Sequence, residues 1–148
     1  LAIARPDITV TVIDSIQKKT RTVQNILMQL ALPNVEVVTG RAEELKPKKG
    51  SGYHVVVARA VAPLVDLLKW SANLFERRDR KVVRAILPGS IQEVQTPLLA
   101  AMKGGELDDE IRRAAVHFPG LVSYVARFPC TTEDVPLLDD KRVIIVPR

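Results

Sequence analysis

Tyr-His-Val-Val-Val-Ala-Arg, residues 53–59 (YHVVVAR), is an almost unbroken apolar run that ends on a cation. A run of this length, rich in β-branched residues, predicts a strand covered on both faces, as in a parallel sheet. Upstream, ITVTVID (Ile8–Asp14) alternates β-branched residues and also ends on a charge, and VEVVT (Val35–Thr39) repeats the pattern before Gly40. Between these two, Ile16, Val23, Ile26, Leu27 and Leu30 recur at helical spacing, with Lys18, Arg21 and Asn25 on the opposite face. That helix is expected to stop before Pro33–Asn34.

Downstream, residues 60–75 read as a helix with Pro63 in its first turn. Two stretches compete for the next strand, Lys81–Leu87 (KVVRAIL) and Leu98–Lys103 (LLAAMK), and the proline- and glycine-bearing 88–97 between them reads as loop. Residues 106–118 form a third helix with acids first and arginines later, the order the helix dipole favours. LVSYVARF (121–128) and KRVIIVP (141–147) are expected as a closing antiparallel pair joined by a polar turn. Strand and helix alternate, so the fold class is α/β with a mainly parallel sheet. In such open sheets ligands bind beyond the carboxyl ends of the strands. The residues to watch are therefore Asp14, the Gly40–Glu44 turn and Arg59.

The bulk composition narrows the function. With 148 residues, 47% hydrophobic and 26% charged, the chain fits one domain with its own core. No apolar run has the length of a membrane-spanning helix. One cysteine, Cys130, excludes an intrachain disulfide framework and a multi-cysteine metal site, and it fits a reducing compartment. A net charge of +5 and a pI near 9.6 favour an anionic partner. The cations cluster at Lys18, Lys19 and Arg21, at Lys46, Lys48 and Lys49, and at Arg77, Arg78, Arg80, Lys81 and Arg84. Each cluster alone reads as a solvated face, but three of them point to nucleic acid. His54, His117 and Cys130 assemble no catalytic triad, and there is neither a metal-ligand spacing nor a phosphate-binding glycine loop of Walker type.

Each strand end carries two readings. Asp14 fits an acid that accepts hydrogen bonds from ribose hydroxyls, or, with Ser15, a plain helix cap. Gly40 allows a close backbone turn, Ala42 leaves room for a planar ring, and Glu43 is placed to accept from an exocyclic amine. Glu44 is better read as a helix-start acid. Arg59 points to a cleft residue or a structural ion pair.

LAIARPD, VTVIDS, NVEVVTGRAEEL, VVVARAVAPL and MKGGELDDEI resemble, in this order, signature stretches of the bacterial small-subunit rRNA guanine methyltransferases, also called the glucose-inhibited division protein B family. The resemblance covers residues 1–75, resumes at 102–113 and fades toward the last strand. It implies a Rossmann-like, class I S-adenosylmethionine-dependent methyltransferase that modifies nitrogen 7 of a guanine in the small-subunit rRNA or the pre-ribosomal small subunit. By matching positions, Asp14 and Ser15 would hold the cofactor's ribose side, and Ala42 and Glu43 its adenine. Arg59 would lie at the cofactor and target base, and Lys103 at the active site or the RNA. Lys18, Lys19 and Arg41 would meet the RNA as well. No metal is implied, and the expected compartment is the cytoplasm or, for an organellar member, a mitochondrial or plastid matrix. The resemblance also makes 1–148 a single partial methyltransferase domain, without the family's first strand and its glycine-rich motif, and makes the arginine-rich 77–97 a basic insertion. Two other functions remain in view: a catalytically inactive, methyltransferase-like ribosome assembly factor, and a nicotinamide-cofactor domain of the same fold class.

Overall fold

A computed structural model describes residues 1–47, 51–59, 61–76, 79–87, 90–127 and 141–148, the side chains of 84–87 and 90–92 excepted. The chain divides into two compact units, Leu1–Leu45 and Lys46–Arg148. Among the described residues no helix is long and apolar enough to cross a membrane.

The first unit is a β-α-β element. Strand β1 (Val10–Asp14) runs parallel to β2 (Val35–Thr39) in a register that pairs Val10 with Val35 and Asp14 with Thr39. Helix α1 (Gln17–Leu30) crosses between them and ends on Ala31 in a left-handed conformation (φ 48°), two residues before Pro33. The helix buries only part of the face its apolar residues predict, shifted toward Thr20. Thr20 is its one fully buried residue, with Val23 and Leu27 half-buried, whereas Ile16, Ile26 and Leu30 are about half exposed. A sheet of two strands covers only the narrow Thr20–Val23–Leu27 stripe. At the amino end, Arg5 N–H closes one turn on the Leu1 carbonyl, and the Asn34 amide donates to the carbonyls of Ala2 and Ile8.

The second unit is built on a four-stranded sheet. Strand β3 (Val55–Arg59) is parallel to β6 (Leu98–Gly104), which is antiparallel to β8 (Lys141–Pro147), itself antiparallel to β7 (Tyr124–Arg127). Helices α2 (Leu64–Ser71) and α3 (Asp108–His117) cover one face, where Leu64, Leu68, Leu99, Ile144 and Val146 are completely buried. The opposite face carries a smaller cluster of Val94, Leu98, Ala126 and Ile145. Parallel strand pairs, crossing helices and an antiparallel closing pair make this an α/β fold.

Four expectations are corrected. Residues 88–97 are not loop throughout, because β5 (Ser90–Gln95) pairs antiparallel with β4 (Val82–Leu87) in a separate two-stranded ladder. Both competing stretches, 81–87 and 98–103, are therefore strands. Helix α2 starts only at Leu64, since Pro63 holds an extended ψ of 151° just outside it. Last, among the described residues of the second unit β3 is covered on one face: Val55 is 40% and Val57 56% exposed, while Ala58 is buried. The second cluster backs β6, β8 and β7 and stops short of β3 at the sheet's edge.

Candidate functional site

In the first unit the two predicted strand ends meet. The parallel register brings Asp14 level with Thr39, and the Gly40 N–H donates to the Asp14 carbonyl at 3.0 Å. A second tie fixes the helix to the same end: the Thr20 and Thr39 hydroxyls lie 2.7 Å apart, with Thr20 Oγ1 also 3.0 Å from the Gln17 carbonyl. Asp14 and the segment Gly40–Glu44, separated by helix α1 in sequence, thus form one edge.

The acids on this edge are lightly engaged. Asp14 Oδ1 accepts from the Ile16 N–H at 2.8 Å, and Oδ2 lies 3.6 Å from Lys19 Nζ. The capping alternative is therefore realised in part, since Asp14 orders the start of α1, yet its side chain stays a third exposed. Ser15, Lys18 and Lys19 are exposed beside it. Ala42, Glu43 and Glu44 form a single 3-10 turn, closed by the Leu45 N–H on the Ala42 carbonyl. Glu43 Oε1 stands 3.7 Å from the Arg41 guanidinium, a loose pair between exposed groups that contributes little to stability.

Gly40 departs from its expected role. Its backbone is outside the left-handed region, and a Cβ added there would meet nothing within 4 Å. The turn does not require glycine. What glycine leaves at this edge is open space against the main chain.

The second unit carries Arg59 and Lys103. Arg59 ends β3 exposed, paired in the ladder with Met102, and among the described residues no carboxylate pairs with it. The structural ion pair considered for it is absent among those residues. Lys103 is different: its side chain is only 12% exposed, and Nζ donates to the Ala62 carbonyl at 2.5 Å and to Glu110 Oε1 at 2.6 Å. The same oxygen accepts the Leu64 N–H at 2.6 Å. Glu110 was legible in the sequence only as a first-turn acid of α3, and its partners lie 7 and 46 residues away.

Of the basic clusters, Lys18, Lys19, Arg21, Lys46, Arg80 and Lys81 are exposed, as is Arg41 outside them. Lys48, Lys49, Arg77, Arg78 and Cys130, as well as Ala60 and the 128–140 connection, lie outside the described residues. His54 and Lys81 meet Asp79 at 3.3 and 3.5 Å, a surface arrangement.

Residues 1–86 match the sequence pattern of the family described as rRNA small subunit methyltransferase G, GidB. Curated relatives carrying the name Ribosomal RNA small subunit methyltransferase G include one from Nocardioides sp., 34% identical over 135 residues, covering 91% of this chain and 43% of the relative. One from Neisseria meningitidis serogroup B is 32% identical over 145 residues, covering 98% and 56%. A third, from Corynebacterium efficiens, is 37% identical over 116 residues, covering 78% and 42%. The chain therefore spans about half the length of the curated relatives it matches. With a match over more than half of its residues, it belongs to the rRNA small subunit methyltransferase G family.

Proposed function

We propose that this chain is part of an S-adenosylmethionine-dependent methyltransferase that forms 7-methylguanosine in small-subunit rRNA, acting in the cytoplasm or an organelle matrix. The observation that carries the nucleoside half of this reading is the edge where Asp14 and Gly40–Glu44 meet, with exposed acids beside an open space at Gly40. The residues fit the group. A ribose offers two vicinal hydroxyl donors to the remaining lone pairs of the Asp14 carboxylate, with Ser15 next to it. An adenine offers an amine donor to Glu43 and a flat face to the small Ala42. When bound, S-adenosylmethionine supplies a methyl group already activated by its sulfonium.

The chain's own residues then have a limited task. Guanine N7 keeps its lone pair free, so no side chain has to remove a proton before attack, and the lack of a Ser/His/Asp set is no obstacle. The catalytic role falls to Arg59, whose guanidinium is suited to the O6 edge of guanine. There it orients the base and offsets charge as the methyl moves, so rate comes from alignment and electrostatics. Lys103 belongs to this side through the one N–H that has no acceptor among the described residues, and Lys18, Lys19 and Arg41 are assigned to RNA phosphates. The single partial domain and the basic insertion at 77–97 are part of the same reading.

Full-length protein tests it. Glu43→Ala is expected to weaken S-adenosylmethionine binding at least tenfold by calorimetry, and Arg59→Ala to reduce labelled methyl incorporation into small-subunit RNA far more than cofactor affinity. RNA binding by the wild type should weaken steeply with salt. Unchanged affinity in Glu43→Ala would remove the adenine assignment. RNA binding without any methyl transfer would favour the assembly-factor function.

A further inference from the structure

The Lys103–Glu110 pair has more structure around it than an ion pair requires. Arg59 is fixed at the end of β3 by its ladder position opposite Met102. The next residue of β6, Lys103, reaches across to the Ala62 carbonyl, and Glu110 of α3 receives both that ammonium and the Leu64 N–H on a single oxygen. Arg59 is thus held by the ladder, and three and five residues further on a carbonyl and an N–H are captured at residues 62 and 64. Leu64 is completely buried and starts α2, so the grip on its N–H also fixes the first turn of that helix. With side chains 12% and 24% exposed, the two charges sit where water competes weakly for their hydrogen bonds.

We propose that Glu110 is a positioning residue for Arg59: directly at the Leu64 N–H, and through Lys103 at the Ala62 carbonyl, it holds the chain at residues 62 and 64 and so limits the positions open to the strand end that carries Arg59. This rests on the proposed role of Arg59 in methyl transfer. Neither Glu110 nor the Lys103 atoms engaged with it need touch the substrate for the effect. Removing the acid leaves the Leu64 N–H without its acceptor and the Lys103 ammonium without its counter-charge, so that the Ala62 carbonyl is held by a side chain no longer fixed itself.

The test uses full-length protein with Glu110→Ala and Glu110→Gln, read in three ways. Hydrogen exchange at the Leu64 amide should accelerate at least tenfold in the alanine variant and less in the glutamine variant, whose amide oxygen still accepts. Single-turnover methyl transfer should fall at least tenfold in Glu110→Ala, while cofactor affinity stays within twofold. The Arg59→Ala/Glu110→Ala double variant should be no slower than Arg59→Ala alone, because residues acting through one another are not additive. A folded Glu110→Ala protein with an unchanged Leu64 exchange rate overturns the proposal, as do losses that multiply in the double variant. If the alanine variant does not fold, the glutamine variant carries the same three measurements. A wild type that transfers no methyl defeats the methyltransferase reading, while the Leu64 exchange rate still decides whether the clamp exists.

Discussion

The two units treat the ends of their strands in opposite ways. In Leu1–Leu45 the edge at Asp14 and Gly40–Glu44 is tied together by main-chain and hydroxyl contacts, while its acids, apart from the Ile16 N–H that Asp14 accepts at 2.8 Å, meet cations only loosely, at 3.6 and 3.7 Å. In Lys46–Arg148 the charged groups near the end of β3 are themselves the ties, at 2.5 to 2.6 Å. One edge leaves most of its carboxylate oxygens available to a ligand; the other commits its acid to the backbone and leaves a cation, Arg59, with no carboxylate partner among the described residues. A charged residue at a strand end is therefore informative only together with what it already holds.

The comparison can be broken most forcefully in the core beneath the second unit. Leu99 is completely buried between β3 and β8. Leu99→Ala is expected to cost about 2–5 kcal/mol, read from the urea midpoint. A loss below about 1 kcal/mol would mean that this core is not the platform for the braced end.

The glycines sharpen the contrast next. A Cβ on Gly52 would lie 2.4 Å from the Glu76 nitrogen and 2.5 Å from the Phe75 carbonyl carbon, so Gly52→Ala should destabilise by about 1–3 kcal/mol. Gly40→Ala, facing open space, should leave stability within about 0.5 kcal/mol and act on cofactor affinity instead. If both substitutions destabilise equally, the open edge is not open. A smaller effect is expected at Asn34, whose amide donates to the carbonyls of Ala2 and Ile8; Asn34→Ala should cost about 1 kcal/mol by denaturant titration.

The smallest effect is a pH dependence in the first unit. The side-chain hydrogen bond from Arg5, which also raises the arginine's own pKa, holds the Asp7 carboxyl below its ordinary value. A carboxyl depressed in the folded state adds stability above its unfolded pKa and loses it as pH falls through the folded one. Both partners are exposed. Wild type and Asp7→Asn should therefore differ slightly in unfolding midpoint at pH 7 and converge toward pH 3. A gap that persists in acid would show that the ion pair is not its source.

Much of this architecture is readable from residue order. β1, β2, β3 and β8 stand where their apolar and β-branched patterns predict, because period and composition agree there. β5 is hidden by its surroundings: glycine and proline at 88–89 and 97 punctuate the chain, and the pairing with β4 that makes it a strand is not local in composition. The start of α2 is displaced because a proline at its edge is compatible with either side of the helix boundary. Asp14 and Arg59 could be picked out as charges ending strands, and Glu43 as a charge in the turn just past one. Glu110 could not, since a first-turn acid satisfies the helix dipole and nothing in its neighbourhood announces a backbone N–H 46 residues away.

The hydrogen bond from Gly40 N–H to the Asp14 carbonyl has a metric consequence. It makes the main chain, not the side chains, the ruler between the two proposed nucleoside contacts. Lengthening or shortening the acid at 43 then moves its reach along a fixed scale without resetting the scale, so glutamate against aspartate selects by size and glutamate against glutamine by charge. Selectivity for the bound nucleoside would thus be adjustable one methylene at a time, on a frame that does not have to be rebuilt.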